Sequence, residues 1–425
     1  MKLNREQEDM LMGKEGGGVQ KAMEIIVGMG EAQGAEELVK ISYAHLMPPD
    51  VMFMPFGKQG EWAHDLTGEM TRGIKRLKVP ATIEPKFCDL SIARKLRFAD
   101  DTIEEIRTIQ GKATDFYENL GVFPTYTAMP YYHYRARKGQ HVSISESIAT
   151  LWFNTMFGAR CERDDGVKSL AAAITGYVPK EGVHLDENRI GEVIIRPGQD
   201  INFKDFSDAD WDAYSLATSR KCQDKIPVFT DIPLTIGQTD LKHLHAVIAV
   251  ESGLALMHIV GITPEAPTLE AALCGRKPLG EFSIGKKDLD EAYDLANTAT
   301  GTNVDFILLG CPHLTIREFR DLAEVLDGNK IDPNVTFVAS TSRLLFEQAT
   351  DMGYIDVIQK AGGSVATEMC IAFAGTQATG TIATNSIKAV FFYAGFTSDG
   401  SRMVRFGSTR DCARSAISGK WEGRK

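Results

Sequence analysis

The chain of 425 residues lacks the features that would mark a membrane or nucleic-acid protein. No apolar stretch approaches the roughly 20 residues needed to cross a bilayer. The opening decapeptide MKLNREQEDM has no apolar core of the signal-peptide kind. Basic residues form no dense run and the formal net charge is −10, so neither nucleic acid nor an anionic membrane is an expected partner. The seven cysteines are scattered, odd in number and without a CxxC pair, which speaks against a disulfide framework and for reduced thiols in a cytoplasmic protein. Internal repeats and low-complexity tracts are missing, as is any strong phosphate loop. The one triple glycine, Gly16–Gly18, interrupts a helical Asn4–Gly28 and reads as a joint between two short helices.

What is present is the composition of a globular enzyme, 43% hydrophobic and 24% charged. The length exceeds one simple core and allows two or three α/β subdomains. The stretch Val304–Phe319, VDFILLGCPHLTIREF, carries the most information. Asp305–Leu309 has the length and Ile/Leu/Phe content of a buried strand. Gly310-Cys311-Pro312-His313 breaks it, because proline cannot donate to a ladder and glycine permits an unusual turn. Thr315 with Glu318 three residues on is a capping-box pattern opening a helix through Leu326. Cys311 and His313 thus sit at a strand-to-helix crossover, where open α/β sheets bind ligands. Cys311 reads either as a metal or cluster ligand or as a half-buried structural thiol.

Elsewhere, Leu38–Ser42 reads as a strand leading to His45, and Asp101–Asn119 as an amphipathic helix with Ile103, Ile106, Ile109 and Phe116 on one face. Ser145–Phe157 reads as a helix released at Gly158. Arg160 and Arg163 lie just past it, suited to bidentate capture of a carboxylate or phosphate or else simply solvated. Glu192–Arg196, Ala246–Val250, Ala255–Val260 and Val335–Ala339 read as strands, and Gln199–Asp224 as polar surface. Gly261–Glu270 is expected to open a helix with Pro264 near its first turn, a site for an anion or a dipole-matched cap at Glu265. Ser340–Arg343 is expected to start another helix, and Cys412 to sit in the core of a terminal one.

Gly310-Cys311-Pro312-His313 after an apolar strand resembles the aconitase X family, the short-chain branch of the aconitase superfamily, and the resemblance runs along nearly the whole chain. Gln140–Gly166, QHVSISESIATLWFNTMFGARCERDDG, resembles the family's H-x-AWxESxA…N-S…GARTNREGG pattern. Thr175–Arg189 is similar to its G-x-x-P…G-x-H-x-x-x-x-R stretch, Gly261–Thr268 to G-[IV]-TPEA-x-T, and Thr384–Tyr393 to N-S-x-K-x…Y. The resemblance implies an α/β fold of multi-layer, aconitase-like α/β/α catalytic domains, divided at approximately 1–120, 121–290 and 291–425, without the family's small swivelling domain. It implies Ser386, Lys388, His184 and Glu146 as catalytic groups. His45, Thr82, Ser147, Asn154, Arg160, Arg163, Arg189 and Asn385 fall on substrate-binding positions.

The same resemblance implies an iron–sulfur cluster, 2Fe–2S or 4Fe–4S, held in relatives by three cysteines. Cys311 and Cys370 fall on two of those positions. Ala128 stands on the third, and Cys161, which replaces a usual threonine, is a candidate substitute. Pro48–Asp89 also departs from the family: it contains Gly57-Lys58-Gln59-Gly60-Glu61-Trp62, and Glu84 stands near a usual asparagine. The function implied is a hydro-lyase acting on a small hydroxy acid such as cis-3-hydroxy-L-proline through an iron–sulfur Lewis acid. The alternatives are the large subunit of a mevalonate 5-phosphate dehydratase, a cluster-free isomerase or lyase, or a non-catalytic binding subunit. A separate small swivelling subunit is the expected partner.

Overall fold

Among the described residues three parallel sheets organise the chain, each made where short apolar runs alternate with amphipathic helices. The computed structural model describes residues 1–48, 61–395 and 403–424; the segment Gly57–Gly60 singled out above lies outside the described residues. In the first sheet Ala81–Ile83, Ala44–Leu46 and Ser143–Ile144 lie side by side, with His45 opposite both Thr82 and Ile144. Leu38–Lys40 leaves this sheet to pair antiparallel with Tyr177–Pro179. The second sheet runs in the order His258–Ile259, Pro227–Phe229, Val193–Pro197, Gly280–Ile284.

The third sheet places the functional loops. Its order is Ser364–Thr367, Thr336–Thr341, Phe306–Leu309, Ile382–Thr384, Val404–Phe406, all parallel. The chain enters at the central strand Phe306–Leu309, winds outward on one side, then crosses back to Ile382–Thr384 on the other. The two strands on either side of that reversal open a crevice at their carboxyl ends. Cys311 follows the first of them and Asn385–Lys388 the second. Phe306–Leu309 is buried at every position, as a central strand covered on both faces must be. Helix Ile316–Leu326 packs Phe319, Leu322 and Leu326 against the outer core, and Thr315 and Glu318 form the capping box expected of them.

Three local expectations are corrected. Ala246–Val250 belongs to helix Gln238–Glu251, not a strand; that helix is buried almost all round, and an unbroken apolar run carries no period to separate the two. Gln199–Asp224 is not mere surface. It contains helix Asp208–Cys222, whose buried acidic groups and Ser215 have partners: Asp212 with His243, Ser215 with the Leu244 carbonyl, Asp208 with Thr409. Gly261–Glu270 does not open a helix at Pro264. The chain turns at Gly261, whose φ is +80°, and only Leu269–Ala272 is helical, capped by Thr268.

Candidate active site

A cavity of about 440 Å³ lies at the reversal point of the third sheet. Gly310, Cys311, Pro312 and His313 line it from the central strand, and Cys370 and Phe373 from the end of Ser364–Thr367. Gly310 is fixed as glycine by geometry: its φ is +113°, and a Cβ there would meet the carbonyl oxygen of Ser340. Cys311 is 7% exposed, and its thiol pKa is pushed up to about 11 by burial. Burial, and then the neighbouring charge of Cys311, push the Cys370 thiol up further. The two thiols therefore share one water-poor space.

Opposite them stands an ion pair. Glu146 is the N-cap of helix Ser147–Phe157, its Oε2 accepting from the Ala149 N–H at 2.7 Å. Its Oε1 accepts from Lys388 Nζ at 2.5 Å, and Lys388 also donates to Ser147 Oγ at 3.1 Å. Burial opposes the charge on Lys388, but Glu146 and Cys311 more than offset it, so its pKa lies above the usual lysine value. Arg163 lines the cavity mouth, exposed and without a carboxylate partner among the described residues.

Glu84 completes the wall. Its Oε1 lies 2.6 Å from His45 Nε2, and His45 Nδ1 lies 2.7 Å from Thr82 Oγ1, which Tyr43 also contacts. Despite that distance the pair is not ionic. Burial, then the charge of His133, take His45 down to about 3. Burial, then the charge of Glu146, raise Glu84 well above the carboxylate range. The proton between them stays on the carboxyl.

Behind Cys311 and Lys388 lies a closed charge network. Lys242 Nζ sits 2.8 and 2.6 Å from the two oxygens of Glu318, and His243 bridges Asp212 at 2.9 Å to Glu318 at 3.2 Å. Asp212 accepts from the Ile387 N–H at 2.6 Å, and Asn385 donates to Glu318 at 2.9 Å, so the network anchors the turn that presents Lys388. Burial opposes the charge of His243, yet Asp212 carries its pKa up to about 9. Lys242, then His243, hold Glu318 well below the carboxylate range against the effect of burial. Asp208, His243 and Glu318 are spaced closely enough for one ion, but both nitrogens of His243 already serve carboxylates. This group is a satisfied ion network, with no lone pair left on His243 for a metal.

The residues expected from sequence fall into three sets. Cys311, Cys370, Glu146, Ser147, Lys388 and Arg163 line the cavity together. His45, Thr82, Asn385 and Ser386 stand behind it: the first two support Glu84, Asn385 joins Glu318 and Thr409, and Ser386 Oγ accepts from the Ala389 N–H at 3.4 Å. The rest gather elsewhere. Arg189 is bound to Glu265, Asn154 and the Val183 carbonyl, while Asn154 donates to the carbonyls of Cys161 and Ala255. These two tie the first sheet's region to the second. Arg160 pairs with Asp186, and His184 Nδ1 faces His141 Nδ1 at 2.9 Å. Cys161 is buried against Asn154 and the Thr150 carbonyl and is not among the cavity-lining residues. Ala128 does line the cavity, presenting a methyl group where a thiolate would be wanted. Two cysteines therefore fit an iron–sulfur group here, and a three-cysteine set does not.

Sequence reading missed Glu84 as a wall residue. Its signal was its place just past the carboxyl end of strand Ala81–Ile83. The Lys242–His243–Asp212–Glu318 network had no local signal, since its members come from three separate helices.

The architecture and the cavity define an aconitase-like catalytic chain: the structure superposes on the holo form of aconitase X from Thermococcus kodakaraensis with a TM-score of 0.83 and 27% identity, over 98% of this chain and 100% of that one. Models of the aconitase X first, second and third domains match residues 1–187, 191–294 and 304–418, and the chain belongs to the aconitase X family. It is 33% identical over 397 residues to the phosphomevalonate dehydratase large subunit of Methanothermobacter thermautotrophicus, covering 92% of this chain and 94% of that one. It is 29% identical over 418 residues to the cis-3-hydroxy-L-proline dehydratase of Pseudomonas aeruginosa, covering 97% of this chain and 69% of that one. Both names denote hydro-lyases, and this chain is an enzyme of that class. Among the described residues no helix is long and apolar enough to cross a membrane.

Proposed function

We propose that the chain dehydrates a small hydroxy acid in the cavity beside Cys311, with cis-3-hydroxy-L-proline as the leading substrate. The observation that carries this reading is the meeting of two thiols with the Lys388–Glu146 pair at the sheet's reversal point. Cys311 and Cys370 would hold an iron–sulfur group, which when bound supplies a Lewis acid for the leaving hydroxyl. The rest belongs to the protein. Arg163 at the mouth is the one cavity-lining cation among the described residues that is not already paired, so it receives the substrate carboxylate. A single unpaired cation suits a substrate with one anionic group. Lys388 stays an ammonium, because the charge of Glu146 beside it stabilises the protonated form, and it serves as a hydrogen-bond donor and positive charge rather than as a base. The apolar wall of Phe373, Phe392 and Pro312 limits the water reaching the site.

A second reading, dehydration of mevalonate 5-phosphate, is favoured by the nearly full-length match to relatives named as large subunits. Those names also support a small partner subunit closing the cleft, as does the exposed position of Arg163. Seven free cysteines, two of them facing the cavity, suit a reducing cytoplasm. The test is to purify the chain anaerobically with a co-expressed small subunit and to assay both substrates by mass spectrometry for loss of water. Dehydration of the hydroxyproline alone supports the main reading, and dehydration of the phosphorylated acid alone supports the second. Turnover of neither, in a preparation that retains iron, refutes both.

A further inference from the structure

The cavity contains two thiols, and iron–sulfur groups of this kind need further protein donors. One group besides the thiols is placed to serve. The Thr127 N–H donates to the Ile83 carbonyl at 3.1 Å, and Thr125 Oγ1 accepts from the Ile83 N–H at 3.2 Å. These bonds lay the segment carrying Ala128 along the strand end carrying Glu84. The methyl of Ala128 and the carboxyl of Glu84 thus face the same cavity as Cys311 and Cys370. Alanine leaves room there, and Glu84 puts an oxygen beside it.

The support behind Glu84 is that of a metal ligand. Its Oε1 is held by His45, whose other nitrogen meets Thr82. Such outer-shell bonds fix the orientation of ligating carboxylates. Oε2 has no partner among the described residues, so one oxygen remains for a cation. The wall has three other carboxylates: Glu146 has both oxygens taken, by Lys388 and by the Ala149 N–H, Asp164 is held by Ser143 and Lys168, and Asp165 caps a helix at the Lys168 N–H. Cys311, Cys370 and Glu84 do not all approach within 4.8 Å of one another, a spacing that a single ion would require and that only Asp208, His243 and Glu318 reach among the described residues.

We propose that Glu84 is the third protein donor, a carboxylate oxygen completing a site of two thiolates and one oxygen with Cys311 and Cys370. This rests on the iron–sulfur reading of the cavity. Binding of a preformed cluster replaces the thiol protons by bonds to iron, Glu84 bonding as the carboxylate, and involves no change of oxidation state. A hard oxygen among soft thiolates also differs from an all-sulfur set in which irons it favours.

The test uses the full chain reconstituted anaerobically with ferric and ferrous iron and sulfide, as wild type, Glu84→Gln, Ala128→Cys and the double variant. Iron and sulfide per chain, resistance of the iron to a chelator and the iron-edge X-ray absorption are measured, with circular dichroism to confirm folding. The wild type should show oxygen as well as sulfur around iron. Glu84→Gln should lose iron to chelator at least tenfold faster. The double variant should regain retention with sulfur alone. A Glu84→Gln protein with wild-type retention and an unchanged oxygen shell would overturn the assignment while leaving the cluster reading intact. A wild type that takes up no iron would overturn both.

Discussion

His243 offers a quantitative test of the buried network behind the cavity. Its proton is held more tightly in the folded chain than in the unfolded one, with a pKa moved from 6.5 to about 9. The stabilisation is therefore fully present below pH 6.5 and is lost as pH rises through 9. A displacement of that size corresponds to about 3 kcal/mol, of which about 2 kcal/mol should disappear between pH 7 and pH 9. That interval includes the ionisation of the thiols in the unfolded chain, whose folded pKa values burial raises, so their contribution, common to wild type and variant, is removed by comparing the two slopes. It also lies above the range in which His245 and His313, held neutral by burial with pKa values of about 3 and about 4, titrate on unfolding. Equilibrium unfolding in urea, followed by circular dichroism at pH 7, 8 and 9, gives the slope. Wild type should weaken by about 2 kcal/mol more than His243→Gln across the interval. His243→Gln should be less stable at pH 7 and should keep only the shallower slope that the thiols supply. A variant with the same pH slope as wild type would show that His243 is not the titrating group and would refute the network's charge assignment.

Lys388→Met leaves Glu146 as an unpaired buried carboxylate and should cost about 3–5 kcal/mol of stability, read as a lowered thermal midpoint. Lys388→Met/Glu146→Gln should recover most of that stability and none of the dehydratase activity, because the lost donor is not restored. Arg163→Ala, at an exposed mouth position, should raise KM at least tenfold with an unchanged melting temperature. Gly310→Ala should destabilise by about 2 kcal/mol or more, since the residue has φ +113° and a Cβ would meet Ser340. It should also displace Cys311, measurable as slower modification or lost iron retention.

The crossover Val304–Phe319 was legible because its signals are local: an apolar run, a glycine–proline break and a capping pair all lie within sixteen consecutive residues. The same holds for Glu146, Ser147 and Lys388, which sit at helix starts where polar residues stand out. Helix Asp208–Cys222 was hidden because its polar residues imitate a surface pattern while partners distant in sequence satisfy them. Arg160, His184 and Arg189 looked like site residues because they are polar and clustered. In the fold, Arg189 closes a seam between sheets, and its guanidinium is fully engaged by Glu265, Asn154 and a carbonyl. Chemical type was readable from sequence, whereas the direction each side chain faces depends on contacts more than a hundred residues apart, such as Lys388 with Glu146.

The central claim is that the cavity beside Cys311 holds the group that makes this chain a dehydratase. Its most direct test compares iron content and substrate dehydration in anaerobically prepared wild type and Cys311→Ala, each with the small subunit. The account predicts that Cys311→Ala folds, since a small residue replaces a buried thiol, but loses both bound iron and turnover. Unchanged iron content and unchanged activity in Cys311→Ala would contradict it.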